Sequence, residues 1–411
     1  MNRKWLVSLF LCLLLCCSCL PAPAAGNYTL MLATDLHYIS PELTDHGPYF
    51  TAMLAAGDGK VTEYCDELTQ AFVNEVVSSA PDALILSGDL TFNGARQSHE
   101  DLVRRLAPVR AAGIPVYVIP GNHDLNNYSA ASFSGSSFSR VESMTPEGFV
   151  SLYDDFGYGS ALSRDASSLS YIAEIAPDLR LVMLDVNATA VPNTVVTGTF
   201  AWLDAQLQDT QKAGARVIAV SHQNVFAHSN LLHHGFVINN AHKLLKLYRQ
   251  YGVSLNLSGH IHMQHTKKDE HGFLEIATSS LSVSSCQYGV ITLSGDQGVY
   301  ETQFTDVASW AAKNQHTDPN LLAFRQYAAA YFAQTTLRQA VGALSGCDRA
   351  DDMAMYMANV NAAYFSGRLD TLSPDPELTK SWQNAGAFFS SYLDSILVEP
   401  PVNHTKAVFT L

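Results

Sequence analysis

The sequence predicts an α/β fold followed by a small all-helical C-terminal domain. From Tyr28 to about Thr305, short runs rich in Val, Ile and Leu alternate with longer amphipathic stretches. Buried strands with covering helices read this way. From about Asp306 the strand signals stop and helix caps take over. At 411 residues, 47% apolar and 15% charged, the chain holds enough for two domains and is too apolar for disorder.

Residues 1–24 read as a signal peptide. Arg3 and Lys4 precede a nearly unbroken apolar run from Trp5 to Leu15, and Ala22 and Ala24 form an A-x-A pattern. A retained membrane anchor fits less well, because the run is short and ends in small residues. Cys19 leaves room for a lipid-anchored form. The mature chain is therefore expected in the cell envelope or secreted, with no transmembrane span.

The elements follow in order. Strands are expected at Thr29–Ala33, Ala83–Leu86, Val116–Ile119, Leu181–Leu184, Val217–Val220 and Val253–Leu257. Glu63–Ser78 and Ser98–Ala112 are the clearest helices, the second stopped by Gly113. Asn126–Ser143 is crowded with Ser, Asn, Phe and Tyr without a period and reads as a long surface loop. Phe273–Ala277 and Gly289–Leu293 read as an antiparallel pair. In the last hundred residues, Asp318-Pro319 opens a helix. A second runs from Asp348 to Ser366, and Leu378, Trp382, Ala385, Phe389, Tyr392 and Ile396 form the stripe of a third. Domains are thus expected at 1–24, 25–305 and 306–411.

The formal net charge is −14, from 24 Lys and Arg against 38 Asp and Glu. Duplex nucleic-acid binding, which works by neutralising phosphates, is not expected. A carboxylate excess suits a protein that holds cations. Past residue 24 only Cys65, Cys286 and Cys347 remain, far apart and without a CxxC, so no disulfide framework exists.

Five polar signals each follow an apolar run. They are Asp35-Leu36-His37, Gly88-Asp89, Gly121-Asn122-His123-Asp124, His222, and Gly259-His260-Ile261-His262. Carboxyl ends of neighbouring strands converge in an α/β sheet, so the five point to one place. Carboxylate, imidazole and amide donors without thiolate suit Mn, Fe, Zn or Ni. The donors outnumber what one ion needs, and two ions sharing an Asp would use them. Two such ions activate water and clamp a phosphoryl group.

The ordered series D-x-H, G-D, G-N-H-D, H and G-H-x-H resembles the calcineurin-like metallophosphoesterases over about Tyr28 to Thr305. The resemblance implies a two-sheet metallophosphoesterase sandwich flanked by helices. It implies that Asp35, His37, Asp89 and His262 hold a first ion. Asp89 would bridge to a second, held also by Asn122, His222 and His260, the metals being Mn, Fe or Zn. It implies attack by a metal-bridging hydroxide, His123 as acid at the leaving group, and Asp124 orienting His123. The stretch from Gly88 to Asp124 is similar to bacterial enzymes acting on phosphodiesters, cyclic-nucleotide phosphodiesterases among them. A small phosphoester is thus the expected partner. The alternatives are a phosphomonoesterase acting on nucleotides and a non-catalytic envelope binding protein. His265, three residues beyond His262, is a further candidate for substrate contact.

Overall fold

The computed structural model describes residues 25–411, and the expected signal peptide at 1–24 lies outside the described residues. Two mixed sheets face each other across one core. The first runs, edge to edge, Lys406–Thr410, Gln297–Phe304, Gln287–Ser294, Asn27–Ala33, Ala83–Leu86 and Val116–Val118. The second runs His265–Lys268, Leu274–Ala277, Leu255–Ser258, Arg216–Ser221, Leu179–Leu184, Tyr171–Ala176 and Ser163–Arg164. Leu30, Leu84 and Ile291 of the first sheet and Ile218, Leu257 and Ile276 of the second share that core.

The strands expected from unbroken apolar runs pair in parallel, and all but Val116–Val118, which edges the first sheet, lie mid-sheet. Asn27–Ala33 pairs in parallel with Ala83–Leu86, and that strand with Val116–Val118. Leu255–Ser258 lies parallel to both Arg216–Ser221 and Leu274–Ala277. Parallel neighbours need crossovers, and helices supply them. Cys65–Ser79 and Arg96–Ala111 serve the first sheet, and Thr197–Ala213 and Ala241–Gln250 the second. This arrangement brings the carboxyl ends of Asn27–Ala33, Ala83–Leu86, Val116–Val118, Arg216–Ser221 and Leu255–Ser258 to one rim.

Several expectations need correction. Leu274–Ala277 and Gln287–Ser294 are not a pair; they lie in different sheets, and the second pairs with Asn27–Ala33 and Gln297–Phe304. Two short apolar strands in sequence do not reveal that the chain changes sheets between them. The stretch from Asn126 to Ser143 is not all loop. Ala131–Ser134 and Ser137–Arg140 form a hairpin whose Phe133 is buried against Tyr49 and Phe50. Its alternation is hidden because the second strand is exposed throughout.

The helical region spans Val307–Lys313 to Ala387–Leu397. Asp318 caps its helix by accepting the Asn320 amide at 2.8 Å. The third expected helix is two, Pro376–Ala385 and Ala387–Leu397, broken at Gly386. Leu378, Trp382, Tyr392 and Ile396 still share one core, so the stripe reads as continuous across the break. Met353 and Met357 fill that core, whereas Met355 on the same helix is exposed. The same core takes in Ile261, Met263 and Ala277 from the sandwich, so the helices brace the loop carrying His260 and His262. The chain then returns as Lys406–Thr410 to edge the first sheet. Cys65, Cys286 and Cys347 are free. Among the described residues no helix is long and apolar enough to cross a membrane.

Trp382 is fully buried and donates its indole N–H to the Met353 carbonyl at 2.8 Å. Trp382→Ala is expected to cost about 3–5 kcal/mol, read as a lowered urea midpoint.

Candidate metal centre

Each predicted ligand follows a strand end. Beyond the strands the backbones stay zipped: Asp35 N donates to the Gly88 carbonyl and His37 N to the Asp89 carbonyl, both at 3.0 Å. Gly259 N donates to the His222 carbonyl at 3.0 Å, and His260 N to Asp35 Oδ2 at 2.9 Å. The turns are tight. Asp35, His37, Asp89, His260 and His262 all have positive φ, between 44° and 70°. Left-handed backbone at non-glycine residues costs free energy, and five such residues at one rim mark a functional cluster. Two glycines permit it. A Cβ at Gly121 would overlap the Asp89 amide and carboxylate, and one at Gly259 would overlap Thr34 and Asp35.

The side chains converge as two groups sharing Asp89. Ligand atoms of Asp35, His37, Asp89 and His262 lie within 4.8 Å of one another, as do those of Asp89, His222 and His260. Asn122 Oδ1 lies 3.2 Å from His222 Nε2 and belongs to the second group. Asp35, His37, Asp89 and His222 are buried.

Whether cations fit can be tested on the polar atoms. Asp35 Oδ1 and His37 Nδ1 are buried without a hydrogen-bond partner. His37 Nε2 and His262 Nε2 face each other at 3.1 Å. His222 Nδ1 must donate to the Ser87 carbonyl at 2.9 Å, because a carbonyl only accepts. Its Nε2 lone pair then faces two oxygens, Asn122 Oδ1 and, at 3.3 Å, Asp89 Oδ2. Only a proton or a cation relieves that encounter. Without metal it is a proton: burial opposes the charge, but Asp89 and Asp35 outweigh it and push His222 up to about 9. Burial, with the Lys60 charge adding, holds His37 well below its ordinary range, the neutral form a ligand needs. Burial acts against charge on Asp89 too, yet His222 and His123 keep its carboxyl well below the usual range. The donor set therefore fits two divalent cations of the nitrogen and oxygen class.

His123 borders the cluster with its side chain 38% exposed and its Nε2 3.9 Å from Asp89 Oδ2. Asp124 does not orient it, which corrects the expectation. Asp124 is buried and accepts from the Leu90, Thr91 and Gly121 amides and the Thr91 hydroxyl at 2.8–3.0 Å. It clamps the Asp89 loop to the Gly121 turn. The Phe92 carbonyl orients His123 instead, accepting from Nδ1 at 3.0 Å.

His265 is also corrected. Its Nδ1 meets His228 Nδ1 at 2.9 Å, its Nε2 meets Glu399 at 3.3 Å, and its ring stacks on His404. Both nitrogens are engaged outside the cluster. Sequence reasoning missed Asp58, whose Oδ2 lies 3.5 Å from His262 Nδ1 and 2.5 Å from Lys60 Nζ. Carboxylates behind metal-binding histidines fix their orientation. The only signal was the Gly57-Asp58-Gly59-Lys60 turn, far from any strand end.

Two cavities open on the cluster. The larger, about 910 Å³, is lined by Asn122, His123, Lys60, Arg140 and the aromatic hairpin. The smaller, about 280 Å³, touches His260 and His262. Asp58 and Gln339 line both.

A family model described as calcineurin-like phosphoesterase matches residues 28–264, and one described as the C-terminal domain of cyclic nucleotide phosphodiesterase matches 306–401. A curated relative from Ruthia magnifica subsp. Calyptogena magnifica is 41% identical over 68 residues, 16% of this chain and 28% of its own length. One from Vesicomyosocius okutanii subsp. Calyptogena okutanii (strain HA) is 41% identical over 59 residues, 14% and 24%. Both are named probable cyclic nucleotide phosphodiesterase, and this chain spans 28% or less of their length. Among solved structures, a dimetal phosphatase from Danio rerio aligns at TM-score 0.50 and 17% identity, over 68% of this chain and 96% of that one. That is a likeness of fold.

The raised His222 carries a pH prediction. Its metal-free folded value, about 9, exceeds the ordinary 6.5. Its stabilisation is thus full below about 6.5 and lost as pH rises through about 9. Urea melts of the EDTA-stripped chain should show that decline, and Mn²⁺ should remove it while releasing a proton on binding.

Proposed function

This chain belongs to the calcineurin-like phosphoesterase family, and from that premise we propose that it hydrolyses phosphodiesters at a two-metal centre. The observation that carries this reading is the pair of ligand groups sharing Asp89, with Asp35 Oδ1 buried and unpartnered between imidazoles. Asp35, His37, Asp89 and His262 would hold one ion, and Asp89, Asn122, His222 and His260 the other; Mn, Fe and Zn all accept these donors. When bound, such ions supply an activated water at neutral pH and offset the charge on phosphoryl oxygens.

The chain's own residues do the rest. The Phe92 carbonyl takes the Nδ1 proton and fixes the His123 ring, so Nε2 faces the cleft and, in the imidazolium form, gives its proton to the leaving oxygen and keeps the lone pair. Asp58 orients His262 and holds Lys60 at the edge of the larger cavity, where an ammonium can meet a phosphoryl oxygen. The match of residues 306–401, and the name its relatives carry, support a diester over a monoester, with a cyclic nucleotide as one candidate. The pattern in residues 1–24 supports export, which cell fractionation with and without that segment would test.

The test is the metal-stripped chain given Mn²⁺, assayed on bis-p-nitrophenyl phosphate and p-nitrophenyl phosphate. A metal-restored rate favouring the diester is expected. A monoester preference would make the chain a phosphatase, and silence with metal bound would make it a binding protein. Asp89→Asn should lower bound metal and drop kcat by orders of magnitude. His123→Ala should lower kcat about 10²–10⁴-fold at unchanged metal content; full activity in that variant would remove His123 as the acid.

A further inference from the structure

The smaller cavity is built mostly by the helical region. Phe332, Phe365, Phe388, Phe389 and Tyr392 line it, with Phe236 from the sandwich. Its polar side chains serve one another. Asn361 donates to Thr336 Oγ1 at 3.1 Å and accepts the Tyr392 hydroxyl at 2.9 Å. Thr335 and Thr336 donate to backbone carbonyls of their own helix. The wall therefore offers aromatic surface and few free hydrogen-bonding groups. The exceptions are Gln339, Asp58 and the candidate ligands His260 and His262, through which the cavity adjoins the cluster. Among the lining aromatics Phe388 is 61% exposed. At about 280 Å³ the cavity falls below the usual size of a whole ligand site, so it holds part of a molecule.

Its position relative to the larger cavity is informative. His123, which faces the leaving oxygen, lines the larger one alone. A phosphorus held at the cluster thus has its leaving arm in the larger cavity and the smaller one open to its other ester oxygen. We propose that the smaller cavity binds the retained arm of an acyclic phosphodiester, and that this arm is apolar. This rests on the phosphodiester reading. A 3′,5′-cyclic phosphate, with both esters closed on one ring, would leave the cavity empty.

The experiment uses the full Mn²⁺-loaded chain and two diesters with the same leaving group, methyl and n-butyl p-nitrophenyl phosphate. The butyl ester should show at least tenfold higher kcat/KM, within what three further buried methylenes supply. Phe388→Ala, at a largely exposed position where folding is not at stake, should cut that ratio at least threefold. Calorimetry with methyl and butyl methylphosphonate reads the same preference without turnover. Equal kcat/KM and equal Kd for the two arms would overturn the cavity assignment and leave the phosphodiester reading standing. A butyl preference in Kd with no turnover of any diester would sustain the cavity and sink the function. Neither turnover nor phosphonate binding would end both.

Discussion

Two carboxylates buried beside each other dominate this molecule. Asp35 and Asp89 lie at adjoining strand ends, almost fully shielded from water. Burying a charge is costly unless it is paired, and two like charges at one rim cost more. The chain offsets this with the surrounding imidazoles and with a few hydrogen bonds, from the Thr34 hydroxyl and the His260 amide to Asp35 and from the His123 amide to Asp89. His222 and His262 hold Asp35 ionised against burial, and His222 and His123 do the same for Asp89. Even so, Asp35 Oδ1 has no hydrogen-bond partner. An arrangement that stays short of positive charge, on left-handed backbone at five positions, is stable mainly with cations in place.

The helical region completes this arrangement. Its core contains Ile261 and Met263, which flank His262 in sequence. Gln264 N donates to the Phe365 carbonyl at 2.9 Å, and Gln264 Nε2 to the His404 carbonyl at the same distance. The loop presenting His260 and His262 is thus held from behind by helices and by the returning C-terminal strand. Gln339 reaches the wall of both cavities from the longest of those helices. The candidate metal ligands come from the sandwich, but the space around them is shaped jointly.

What the sequence revealed followed a physical rule. Parallel strands buried on both faces leave unbroken apolar runs, and the residues after such runs meet at one rim. Asp35, Asp89, Asn122, His222 and His260 were legible for that reason. Asp58 was not, because it comes from a turn and reaches His262 only through tertiary packing. The role of Asp124 was misread for a related reason. A carboxylate next to His123 in sequence points away from it, since the turn closes with Asp124 accepting three amides. The sheet change after Ala277 and the helix break at Gly386 were hidden because core membership, not element length, sets the apolar pattern.

Backbone carbonyls decide which histidine does what. A carbonyl accepts and never donates, so an imidazole facing one has its tautomer fixed. Ser87 fixes His222, Phe92 fixes His123 and Gly235 fixes His260, each at 2.9–3.1 Å. In each case the second nitrogen is left for the cluster or the cleft. His265 has no such freedom, because His228 and Glu399 take both of its nitrogens. Burial and His228 lower its proton affinity while Glu399 raises it, so its partners tie it into a packing role. The motif supplies the imidazoles, and the loop conformations that place Ser87, Phe92 and Gly235 determine which of their nitrogens can act.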